Sequence, residues 1–204
     1  MKPKQMNGVP EQQYGGFHDT ESKKQFDPGL LPLKFEILQK RFFSVSKWKS
    51  YCGEGFADFR LFDREGTETE RPPQKGDFIR IDIPGPGEKE SKGYDWVEIT
   101  DLCFQEDSSP GSESIMITCR PSEDPKNKHN HHIAHFYSPK ATSTFMISRT
   151  PDHLKAAVYG RNESPNLNAE LIDIVRNLFV AAGGMVGISK IQWKKLAEGF
   201  LDFE

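Results

Sequence analysis

Four of the six histidines of this 204-residue chain fall within seven positions, as His129, His131, His132 and His135 of "KNKHNHHIAHFYSP". Alternate residues of a strand share a face, so His131 and His135, extended by His129, could ligate zinc or another divalent transition metal. The competing reading is a polar loop, "SEDPKNKHNHH", that runs into an apolar strand. On that reading only His135, between Ala134 and Phe136, is partly buried, and metal affinity is a matter of composition alone. No carboxylate or cysteine stands at a fixed spacing from the histidines, which favours the loop and no resident cofactor.

A second constellation lies in "YGRNESPN", where Tyr159, Arg161, Asn162, Glu163 and Asn166 fall within eight residues. In an unbroken strand Arg161 and Glu163 share a face and could bind a carboxylate or pair with each other. Arg149, on the preceding strand of an expected hairpin, is the natural neighbour. Together these residues make a candidate polar binding site at the mouth of a barrel. The plainer alternative is a strand-to-helix connection, because Asn162 and Asn166 suit turns and caps and Pro165 cannot continue a sheet ladder.

Signatures of catalysis are missing from the rest of the sequence. It holds no Gly-rich phosphate loop, no GxSxG elbow and no HExxH. Cys52, Cys103 and Cys119 occupy apolar positions without metal-ligand spacing, and read as buried free thiols, with a Cys103–Cys119 disulfide as the alternative.

The elements that must position these residues are mostly strands. "FADFRLF", "FIRIDIP", "YDWVEITDLCF", "SIMITCRP", "IAHFYS", "TSTFMISR" and "LKAAVYGR" follow one another with polar or Pro/Gly loops between them. Runs of this kind without helical crossovers predict an antiparallel β-barrel or strongly curled sheet of about six to seven strands. "TPDH" supplies the turn of a hairpin between the last two. Residues 30–52 carry two periods: Leu31, Leu33, Phe35 and Ile37 alternate, whereas Leu38, Phe42, Val45 and Trp48 recur helically. The expectation is a short strand leading into a helix. Residues 167–204 read as a C-terminal helical hairpin, with Leu171, Ile174, Val175, Leu178, Phe179 and Ala182 on one stripe. Ser189 would cap a second helix that presents Trp193, Leu196, Ala197 and Phe200.

Two partial resemblances accompany this α+β reading. His-x-His-x3-His resembles the first metal motif of cupins, but the position that should carry Glu is His135 itself. "VAAGGMVGISKIQWKKLAEGF" resembles a helix-turn-helix, with Gly187-Ile188-Ser189 at the turn and Lys190, Lys194 and Lys195 facing phosphates, which implies a DNA-binding regulator. The charge pattern opposes nucleic acid as a partner: residues 54–127 hold 18 acidic against 9 basic side chains.

Residues 1–29 are polar, with Tyr14, Phe17 and Phe26 as their aromatics, and composition predicts a flexible arm ahead of a single domain over 30–204, whose β-rich part spans 56–163. The start has no apolar targeting segment and no stretch suits a membrane span, so a cytoplasmic protein without membrane insertion is expected. The function expected from these features is a non-enzymatic binding or structural component of a protein assembly, meeting a protein partner or a second copy through the arm and the barrel surface. The alternative is a small-molecule or metal-binding enzyme in which His135, Arg149, Arg161 and Glu163 converge.

Overall fold

The computed structural model describes residues 2–53, 56–82, 94–106, 109–126, 137–164 and 185–203, with side chains in the last segment from Ile191 onward. The elements are β1 (Gly16–Gln25), α1 (Leu31–Phe43), a 3-10 turn (Val45–Lys47), α2 (Trp48–Cys52), β2 (Asp58–Phe62), β3 (Phe78–Asp82), β4 (Asp95–Glu106), β5 (Glu113–Pro121), β6 (Thr142–Arg149), β7 (His153–Glu163) and α3 (Met185–Phe200). The seven strands form one antiparallel sheet in the order β1-β7-β6-β5-β4-β3-β2, with β1 and β2 as its open edges. A barrel is therefore not closed, and the α+β expectation of a curled sheet stands.

The helices cover one face, here called inner. Alternation along each strand sends Phe59, Leu61, Ile79, Val97, Ile99, Ile115, Ile117, Phe145, Ile147, Ala156 and Val158 toward it. From α1 come Leu31, Phe35, Leu38 and Phe42, spaced by four, three and four residues as one helical face requires. Trp48 is the hub, its ring 4.9 Å from Phe145, 5.4 Å from Phe59, 5.5 Å from Phe200 and 6.2 Å from Phe42. Its indole N–H donates to the Phe42 carbonyl at 3.0 Å, which satisfies one of the last carbonyls of α1. Trp193, Leu196, Ala197, Phe200 and Leu201 bring α3 onto the same core. A Cβ at Gly199 would lie 2.0 Å from the Tyr51 carbonyl oxygen, so α3 approaches α2 at a distance that only glycine permits. Arg41 ties α1 to the end of α3, donating to the carbonyls of Gly199, Phe200 and Asp202.

Three sequence expectations are corrected. Residues 31–37 belong to α1 from its first turn, with Pro32 where a helix tolerates it, and Leu33 of the apparent alternation is 56% exposed. The helical period wins because it alone buries Leu31 and Phe35 with Leu38 and Phe42. Residues 16–25, expected to belong to a flexible arm, form edge strand β1, paired with β7 from Gly16 to Gln25. "GFHDTESKKQ" hides this because neither face of the strand is apolar, and lysines are ordinary residues on a sheet edge. Finally, α3 is already helical at Met185 and runs through Gly187-Ile188-Ser189, so no cap sits at Ser189 and no helix-turn-helix bend occurs there. The first expected C-terminal helix, 171–182, and most of "IAHFYS" lie outside the described residues. The β6–β7 hairpin is as expected, with Thr150 N–H and Oγ1 both bonded to the His153 carbonyl across the turn. No helix among the described residues is long and apolar enough to cross a membrane.

Candidate functional site

The end of β7 gathers four buried polar side chains, His18, Arg161, Asn162 and Glu163, and a β-bulge arranges them. Gly16 pairs with Glu163 and His18 with Gly160, so one residue of β1 faces two of β7, Arg161 and Asn162. Asn162 takes φ 56°, the left-handed region, where asparagine is the least strained residue after glycine; it is the one non-glycine residue there among those described. The bulge breaks the alternation. Arg161 stays on the outer face with Tyr159, while the Glu163 carboxylate swings to the inner face over Gly160. The expectation that Arg161 and Glu163 share a face is therefore wrong, because it assumed a regular strand.

On the outer face Arg161 is 1% exposed. Its Nη1 donates to the carbonyls of His18 (3.1 Å) and Gly160 (2.8 Å) and its Nη2 to the Lys4 carbonyl (2.8 Å), while Nη2 forms an ion pair with Asp19 Oδ1 at 2.7 Å. The planar fork suits several fixed acceptors at once, which an ammonium cannot match. Beside it the Tyr159 hydroxyl donates to Glu21 Oε1 at 2.6 Å. Burial, then the Glu21 hydrogen bond, push the phenol far above its usual range. Burial also acts to raise the Glu21 carboxyl, but hydrogen bonds from Lys4 and Tyr159 outweigh it and hold Glu21 below its ordinary value.

Asn162 works differently, through the backbone of residues 11–14. Its Oδ1 accepts from the Gln13 N–H (2.8 Å) and the Tyr14 N–H (3.3 Å), and its Nδ2 donates to the Glu11 carbonyl (3.0 Å). Its own N–H donates to Gln12 Oε1 at 2.9 Å. Between these anchors Met6 and Val9 lie on a small apolar cluster of Met116, Met146, Ala157 and Tyr159. At its start, the Lys4 N–H donates to Asp19 Oδ2 at 2.9 Å. Residues 4–14 are thus a strap across the outer face, and Tyr159, Arg161 and Asn162 hold it.

On the inner face His18 Nδ1 lies 2.8 Å from Glu163 Oε1, with 3% and 5% of the side chains exposed. Both side chains occupy the space of a missing side chain: a Cβ on Gly160 would come within 2.2 Å of each.

The other expected site residues are elsewhere. Arg149 pairs with Leu154 and Thr142 with Arg161, so the two arginines are seven residues apart along the hairpin, about 24 Å. Arg149 instead forms an ion pair with Glu113 at 2.7 Å and lies over the Phe35 ring. Convergence of Arg149, Arg161 and Glu163 on one cavity is overturned by that register and by the bulge. His129, His131, His135 and Asn166 lie outside the described residues, and among those described no group of three or more metal-ligating side chains assembles. All three cysteines are free; Cys119 faces the inner core and Cys103 the outer cluster, so a bond between them is sterically closed. Burial pushes the Cys52 thiol up to about 12.

Sequence reasoning found Tyr159, Arg161, Asn162 and Glu163 but missed their partners His18, Asp19 and Glu21. The signal for them is the alternation of His18 and Thr20 with Asp19 and Glu21, a strand period carried by polar residues.

No family model matches the sequence and no curated protein is similar to it. Among solved structures, the crystal structure of Ara h 8.0201 aligns over 91% of this chain and 99% of that chain, at 11% identity and a TM-score of 0.36, a likeness too slight to carry an argument.

Proposed function

We propose that the chain is a non-enzymatic binding component of a protein assembly, and that its outer sheet face receives an extended polypeptide segment. The observation that supports it is the mode in which Asn162 and Arg161 hold residues 4–14. Four of the bonds involved go to main-chain groups: the Lys4 and Glu11 carbonyls and the Gln13 and Tyr14 amides. Recognition of main chain is tolerant of sequence, which is how extended peptides are commonly bound, with pockets for a few side chains adding selectivity. Met6 and Val9 play that second part here. The same face can accept a segment from a second copy or from another protein, because a buried guanidinium deprived of the Lys4 carbonyl gains by recovering an equivalent acceptor.

The test uses the full chain carrying Met6→Asp and Val9→Asp, which weakens the strap's own apolar hold, and a fluorescent peptide with the sequence of residues 2–14. Saturable binding to this variant, much weaker binding to the unaltered chain, and loss of binding when Arg161→Ala is added are expected. A variant that keeps its far-UV circular dichroism and binds no peptide overturns the reading.

A further inference from the structure

A cavity of about 520 Å³ opens at the edge of the sheet, where β1 meets α2 and α3, and none of the residues that hold the strap lines it. Its size falls in the range of small-molecule sites. Gly199, whose missing side chain lets α3 approach α2, lines it together with Tyr51, Cys52 and Leu201. The rest of the lining is polar: Ser22, Lys23 and Lys24 from β1, and Lys195, Glu198 and Asp202 from α3 and the turn that follows it. Such a lining selects a polar occupant, since burying these groups against an apolar one would strip their water without replacing it. The charges do not cancel. Glu198 Oε1 lies 3.9 Å from the Nζ of Lys194, outside the cavity, and Asp202 is engaged as well. Among the described residues Lys23, Lys24 and Lys195 make no ion pair and donate no hydrogen bond. Lys24 and Lys195 rest over the rings of Phe26 (5.8 Å) and Phe56 (4.4 Å). Lys23 stands directly opposite Lys155 on β7, a like-charge pair. The charge of Lys195 reaches the cavity wall, because it counteracts the burial that raises the Cys52 thiol. Three ammonium groups around one concave surface, none with a counter-ion from the described chain, attract an anion.

We propose that this cavity binds a small hydroxylated phosphate ester, a sugar phosphate in class. The phosphate sits among Lys23, Lys24 and Lys195, whose ammonium groups suit it as compact point charges. The ligand's hydroxyls donate to the carboxylates of Glu198 and Asp202, which only accept, and its carbon skeleton rests against Tyr51 and Leu201.

The experiment titrates the full-length protein with glucose 6-phosphate, by calorimetry and by amide NMR, with glucose and inorganic phosphate as controls. Saturable binding of the ester is expected, with shifts at the Ser22, Tyr51 and Leu201 amides, weaker binding of inorganic phosphate and none of glucose. Lys195→Gln should weaken the ester about tenfold, the worth of one charge-assisted contact. Lys49→Gln removes an exposed charge of α2 outside the cavity and should leave the affinity unchanged. Both lysines are exposed, so neither variant threatens the fold. Absence of saturable binding of the ester, equal binding of inorganic phosphate, or equal losses in the two variants overturns the proposal.

Discussion

The two faces of the sheet are closed by different means. Over the inner face, side chains pack on side chains: Trp48, Phe59, Phe145, Trp193 and Phe200 interlock, and the helices that carry them follow from hydrophobic period. Over the outer face a strap of chain, turned at residues 6–9, is held by Arg161 and Asn162, with Met6 and Val9 packed on Tyr159 and its neighbours between the polar anchors. The first closure depends on volume, the second on direction, since each hydrogen bond needs its partner at one place. A face closed by volume cannot be opened without unfolding the core. A face closed by a few directed bonds to backbone can exchange its occupant, and that difference supports reading the outer face as a docking surface.

Substitutions can break this contrast from either side. The largest effect is expected at the inner hub: Trp48→Ala removes a ring that touches four other aromatic side chains and should cost about 3–5 kcal/mol in chemical denaturation. Arg161→Ala leaves Asp19 beside a vacant site, and breaking a buried pair of this kind costs about 3 kcal/mol. Its signature should differ from that of Trp48→Ala, with hydrogen exchange rising across residues 4–14 and the amides of β5 and β6 remaining protected. Equal loosening of both faces would erase the distinction.

A milder test concerns a polar group on the inner face. Asp95 pairs with Ile81 of the inner core, and burial pushes its carboxyl up to about 7 from 3.8. The folded chain therefore holds that proton over a pH range in which the unfolded chain has released it. On this account Asp95 makes the protein less stable as pH rises from about 4 to about 7. Asp95→Asn should match the unaltered chain near pH 4 and gain over it progressively toward pH 7, as measured by denaturation midpoints. A constant difference across that range would mean that Asp95 is ordinary.

The sequence shows the strands whose inner faces are apolar with little ambiguity, and β2 to β7 all overlap the apolar runs that read as strands. It concealed β1, whose two faces read His18, Thr20, Ser22, Lys24 and Asp19, Glu21, Lys23, because burial there is paid for by ion pairs and hydrogen bonds that no hydrophobic pattern records. The site was half legible for the same reason. Arg161, Asn162 and Glu163 stood out as residue types, but their division between the faces rests on a single left-handed residue at 162, and the partners they serve lie some 140 to 150 positions away.

Hydrogen exchange at the Gln13 and Tyr14 amides tests the central claim most directly, because both donate to Asn162 Oδ1 and belong to no helix or strand. Asn162→Gly keeps the backbone conformation open to the bulge and removes only the side chain. The account predicts that both amides are protected in the unaltered chain and exchange freely in Asn162→Gly, while the Ile117 and Phe145 amides stay slow in both. Free exchange of Gln13 and Tyr14 in the unaltered chain would contradict it.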